Sequence, residues 1–176
     1  MSDIALLYDL LKVTLPLIIL FIAFWLMMKR MAKREDDLAT LELRKQNRKE
    51  IVSLQLQAYE RLVLFLERIS PESLIIRLQP DNKSLREYQM QLIESIRTEY
   101  EHNLAQQLYV SEKNWEAVRM AKESMVKLIN SEAEELGKAA KGIDLARNVI
   151  ESYHDLESTP IHEAIRQLKK DLRRNF

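Results

Sequence analysis

With 176 residues the chain has room for one membrane segment and one domain of ordinary size, and two independent soluble domains are disfavoured by length. Its 27 Lys and Arg balance 27 Asp and Glu, which argues against a global field recruiting nucleic acid, and the lack of cysteine excludes disulfides, thiolate nucleophiles and Cys-ligated metals. Only two glycines and four prolines interrupt it, so a few long helices and an all-α fold are expected.

Residues 1–9 read as a short outer segment. Val13 to Met28 then runs VTLPLIILFIAFWLMM, sixteen residues without a charge, which Leu10 and Leu11 extend and Lys12 joins by snorkelling. Residues 10–28 therefore predict a transmembrane helix, close to the roughly 20 residues that cross about 30 Å of hydrocarbon. Tyr8 and Trp25 fall near the two interfaces, where amphipathic rings settle. Asp3 and Asp9 precede the span, whereas Lys29, Arg30, Lys33 and Arg34 follow it. That order opposes a cleaved signal peptide, and the positive-inside bias places the N-terminus outside and residues 29–176 in the cytoplasm. Asp9 and Lys12 make an ordinary interfacial pair, and no Asp, Glu, His or Arg lies deeper to mark an ion path.

Residues 29–50 read as a charged juxtamembrane helical stalk that lifts the following domain from the bilayer. Arg44, Lys45, Arg48 and Lys49 lack interleaved aromatics and sit beside Glu42 and Glu50, so nucleic acid is not an expected partner. Residues 51–176 predict a helical bundle of about four to five helices. Its first stripe is Val52, Leu56, Tyr59, Val63 and Leu66, widened by Leu62 and Ile69. Ser70 and Pro71 then start a short helix through Leu78.

Ser84 and Glu87 form a capping-box pattern that opens a helix carrying Leu85, Tyr88, Leu92, Ile96, Tyr100, Leu104 and Leu108, ending around Tyr109 and Val110. Ser111 caps the next, with Trp115, Val118, Ala121, Met125, Leu128 and Ile129 toward a core and Gly137 closing or interrupting it. After Gly142, the residues Ile143, Ala146, Val149, Ile150, Tyr153 and Leu156 make another amphipathic helix. Thr159 and Pro160 launch the last one, with Ile161, Ile165, Leu168 and Leu172 inward. Lys169, Lys170, Arg173 and Arg174 suit the negative end of its dipole, and offer an anionic membrane or an acidic partner a contact.

The stretches LQAYERLVLFLERISPESLIIRL (Leu56–Leu78) and EHNLAQQLYVSEKNWEAVRMAKESMVKLIN (Glu101–Asn130), placed after an N-terminal span, resemble an uncharacterised family of short bacterial single-pass membrane proteins. The resemblance implies a bacterial inner membrane and a cytoplasmic helical domain. It carries no activity across.

Metal binding is the sharpest chemical candidate, because Glu99-Tyr-Glu-His102 and Glu151-Ser-Tyr-His154 are both E-x-x-H. Helical bundles build di-metal centres from two such pairs plus one inward Glu from each of two other helices. Glu60 or Glu67, with Glu116 or Glu123, would supply the rest. At roughly 100° per residue, Glu99 lies about 80° and His102 about 140° from their helix's apolar direction, while Glu151 lies nearly opposite its apolar face and His154 about 110° away. Ligands placed so point outward, and no cofactor is expected.

No G-x-S-x-G, phosphate-binding glycine loop or H-E-x-x-H occurs, so an enzyme is not expected and no small-molecule substrate is evident. The reading is a membrane-anchored scaffold or accessory subunit that meets other proteins or a second copy of itself. Its alternative is a membrane-anchored di-metal protein using Glu99, His102, Glu151 and His154. A continuous rotary-machine stalk fits less well, because Pro71 and Pro80 divide it.

Overall fold

The structure is a computed structural model that describes the backbone of residues 2–137 and 139–175; the side chains of residues 2–11, 13, 16, 32, 34–40 and 175 lie outside the described residues. Every regular element among the described residues is helical. α1 spans Ser2–Arg68, α2 Pro71–Arg77, α3 Leu85–His102, α4 Glu112–Leu136, α5 Gly142–His154 and α6 Pro160–Asn175, with a 3-10 turn at Leu104–Leu108. Two compact units divide the chain within α1, residues 1–51 and residues 52–176.

In the first unit each large apolar side chain from Leu17 to Met28 is between 45% and 70% exposed. Consecutive residues cover the whole circumference of a helix, so apolar surface faces outward on every side. Among the described residues no helix is long and apolar enough to cross a membrane. Within the apolar run and its flank, described side chains continue without a gap from Leu17 to Met31, and Leu10, Leu11, Val13 and Pro16, which complete the run in sequence, lie outside them.

In the second unit α4 packs on α3, α5 and α6, and α5 also meets α2 and α3. The α1 stripe that reaches this core is Ala58, Tyr59, Leu62, Phe65, Leu66 and Ile69. Leu56 is exposed and Val63 half-buried, so the buried face is rotated slightly from the expected one toward Phe65. Phe65 meets Tyr100 at 5.9 Å between ring centroids, and Tyr100 stacks on Trp115 at 5.4 Å, which ties α1, α3 and α4 through aromatic contact.

Local signals explain most helix ends. Ser84 Oγ accepts the Glu87 amide while the Ser84 amide donates to Glu87 Oε2 at 3.0 Å, completing the capping box. Pro71 and Pro160 occupy the first positions of α2 and α6. The Thr159 hydroxyl accepts the His162 amide, and Ser111 accepts that of Asn114. Gly137, at φ 71°, ends α4 in a conformation that a Cβ disfavours.

Three expectations are corrected. α3 stops at His102, not near Tyr109, because the Asn103 carboxamide donates back to the Glu99 carbonyl at 2.8 Å and a 3-10 turn follows. Leu104 and Leu108, assigned to its apolar face, are consequently 40% and 79% exposed. On α5, which ends at His154, Ile143 and Leu156 are exposed and Leu145 takes the core position.

Two loops meet where the Gly142 amide donates to the Lys83 carbonyl at 3.0 Å. A Cβ on Gly142 would stand 3.0 Å from Tyr88 Cβ, so glycine permits the close approach of α5 and α3. Tyr88 is wholly buried and its hydroxyl has no hydrogen-bond partner among the described residues, and burial pushes the phenol up to about 12. Gly142→Ala is expected to cost about 1–3 kcal/mol in denaturant unfolding through this overlap. Tyr88→Phe, by contrast, is expected to leave stability equal or raised, since it deletes an unsatisfied buried hydroxyl. The neutral phenol's contribution is present below pH 10 and lost as pH rises toward about 12, so the variant should show a flatter alkaline limb in thermal melts.

Candidate functional site at the C-terminal helix

The most concentrated polar arrangement of the second unit forms where α6 crosses the starts of α4 and of the bundle portion of α1. Asp171 Oδ2 accepts the Tyr59 hydroxyl at 2.6 Å and the Asn114 carboxamide at 2.7 Å. Asn114 is 1% exposed, so its amide could not stay unbonded without a penalty of about 1–3 kcal/mol. Ser111 caps the turn that holds Asn114, and Gln167 donates to the Lys113 carbonyl at 3.0 Å, which fixes α6 against α4. Among the described residues no donor reaches Asp171 Oδ1.

Two open hollows of about 560 and 480 Å³ flank this knot and share Ser111, Asp171 and Arg174. Lys113, Arg166 and Lys170 border the larger; Gln55, Tyr59 and Leu108 border the smaller. The Ser158 hydroxyl donates to Glu163 at 2.7 Å and Arg166 pairs with it at 2.6 Å, and the two, Ser158 foremost, hold its carboxyl below the usual carboxylate range. Lys113, Lys170 and Arg174 have no ion-pair partner among the described residues. The cleft is a charged recess in which, among the described residues, one carboxylate oxygen has no donor and no nucleophile–base pair forms.

The residues singled out in sequence are dispersed. Of the interface set, Tyr8 and Arg34 lie outside the described side chains, while Trp25, Lys29, Arg30 and Lys33 are exposed. The Lys29 ammonium sits 5.3 Å from the centre of the Trp25 ring, a cation–π distance. Glu99 accepts Arg68 Nε at 2.9 Å and Arg77 Nη1 at 2.8 Å, which holds its carboxyl below the usual range, Arg68 first. His102 and Glu151 are exposed, and His154 Nε2 lies 3.1 Å from Glu72. Among the described residues no group of three or more acidic or His side chains is gathered for a metal. Glu99 is committed to two guanidiniums that link α1, α2 and α3.

Sequence reasoning missed Asn114 and Asp171 as partners, and favoured core packing for Tyr59 over a place on a recognition surface. A signal existed: Asp171 interrupts the inward face of α6 between Leu168 and Leu172, and a carboxylate there requires donors from elsewhere.

Asn114→Ala is expected to lower stability by about 1–3 kcal/mol in urea titration, and Asn114→Ala with Asp171→Asn to cost less than the two changes added, since they share one network. Glu99→Gln should cost about 1 kcal/mol, discounted because Arg68 is half exposed. The Glu99 contribution is present above the ordinary value of 4.5 and lost as pH falls through its depressed value, so the variant should lose stability less steeply in acid melts.

The chain belongs to the family of unknown function DUF7935, whose profile matches residues 5–175. No curated protein and no solved structure matches it.

Proposed function

We propose that the protein is a membrane-anchored adaptor: residues 10–28 cross the bilayer, residues 29–50 form the stalk, and the helical bundle meets a protein partner on the cytoplasmic side. The observation that carries the anchor is the apolar circumference of Leu17–Met28. Half-exposed apolar side chains over three helical turns would cost on the order of 10 kcal/mol or more in water, and lipid removes that cost. Trp25 and Lys29, in contact with each other, form a pair suited to the headgroup level. Lys29, Arg30, Lys33 and Arg34 supply the inward bias, and the resemblance to short bacterial single-pass proteins favours an inner membrane.

The adaptor part draws support from a bundle whose recess is open and lined by charged side chains. An anchor concentrates such a surface near membrane partners without adding any contact. The di-metal alternative has less support, since Glu99 is already held by Arg68 and Arg77.

After alkaline carbonate washing of membranes, the full chain is expected in the pellet and a chain lacking residues 10–28 in the supernatant. Protease added to intact spheroplasts should spare a C-terminal tag. Full-length chain in the supernatant overturns the anchor, and loss of the tag overturns the orientation. Cross-linking in living cells should give a discrete heavier product; a lone monomer in cross-linking and light scattering overturns the adaptor.

A further inference from the structure

We infer that the twin hollow around Asp171 and Arg174 is the docking site for an acidic protein segment that carries an apolar side chain. This rests on the adaptor reading and gives its interface a place and a chemistry. Charge within the bundle is unevenly shared: residues 51–159 contain thirteen Lys and Arg against eighteen Asp and Glu, whereas residues 160–176 contain five against two. An acidic partner is repelled by most of the bundle and drawn to α6. In the recess the cations Lys113, Lys170 and Arg174 have no ion-pair partner among the described residues.

An apolar contact lies beside them. Leu108, 79% exposed on the 3-10 turn, borders the same hollow as Tyr59 and Arg174, and Leu104 on that turn is 40% exposed. Covering an exposed leucine removes apolar surface from water, which gives the pair of features both affinity and register. Concavity favours a peptide over lipid. Side chains enter hollows of about 500 Å³ that a bilayer surface spans from above, and Asp171 Oδ1 can accept a peptide N–H, a donor that a headgroup phosphate lacks.

The chain has no cysteine, so Gln107→Cys takes a single environment-sensitive dye. Full-length labelled protein in phosphatidylcholine nanodiscs is titrated with a helical Glu/Leu peptide, its Lys-for-Glu counterpart and its Ser-for-Leu counterpart. Saturable binding of the Glu/Leu peptide alone is expected, weakened about tenfold by Lys170→Glu, by Arg174→Glu and by Leu108→Ser, each with wild-type circular dichroism. No saturable binding, equal binding of the Ser-for-Leu peptide, or affinity unchanged in the three variants overturns the site. So does a dye response to phosphatidylglycerol nanodiscs without peptide, which marks a lipid contact. A chain that stays outside nanodiscs overturns the anchor, and the same titration in solution still decides the docking site.

Discussion

The carboxylate of Asp171 is the point on which the C-terminal half of the bundle depends. Its Oδ2 atom receives the Tyr59 phenol at 2.6 Å and the Asn114 carboxamide at 2.7 Å, so one acid joins three helices distant in sequence. Hydrogen bonds to a charged acceptor are stronger and shorter than neutral ones, and they are directional where apolar packing is not. α6 is amphipathic, and this knot together with Gln167 fixes its place against α1 and α4. The cations of the cleft inherit their positions from it.

Around that knot, stability comes from a core shared by all six helices and a few places where polar groups are strictly paired. Arg68 and Arg77 converge on Glu99, tying the end of α1 to α2 and α3 at a surface position. Gly142 brings α5 against Tyr88, whose hydroxyl has no hydrogen-bond partner among the described residues. Natural cores tolerate such an orphan when the ring's burial outweighs it, since a phenyl ring buries far more free energy than one hydroxyl forfeits.

The two units follow opposite solvent logic. In residues 52–176 most apolar side chains turn inward at helical spacing, and among the described residues the charged ones, Glu132 apart, stay at least partly exposed. Over Leu17–Met28 the apolar side chains face outward at every position. A helix of that kind gains nothing from water on any face, and that contrast carries the anchoring proposal.

Helix existence and helix starts were legible from residues alone, because caps are local chemistry: Ser84 with Glu87, Ser111, Thr159 and the prolines at positions 71 and 160 act within one turn. The outward placing of His102 and Glu151 also follows from spacing along one helix. Where α3 stops required the fold, since Leu104 and Leu108 continue the apolar pattern while Asn103 turns the chain away. The choice of Leu145 over Ile143, and of Phe65 over Val63, also belongs to packing: periodicity defines a stripe about 100° wide, and neighbouring helices decide which edge of it they cover. The cleft itself was illegible for the same reason. Its floor joins residues 55 and 57 positions apart, and no local pattern encodes which buried amide will meet which carboxylate until tertiary contact brings them within hydrogen-bond reach.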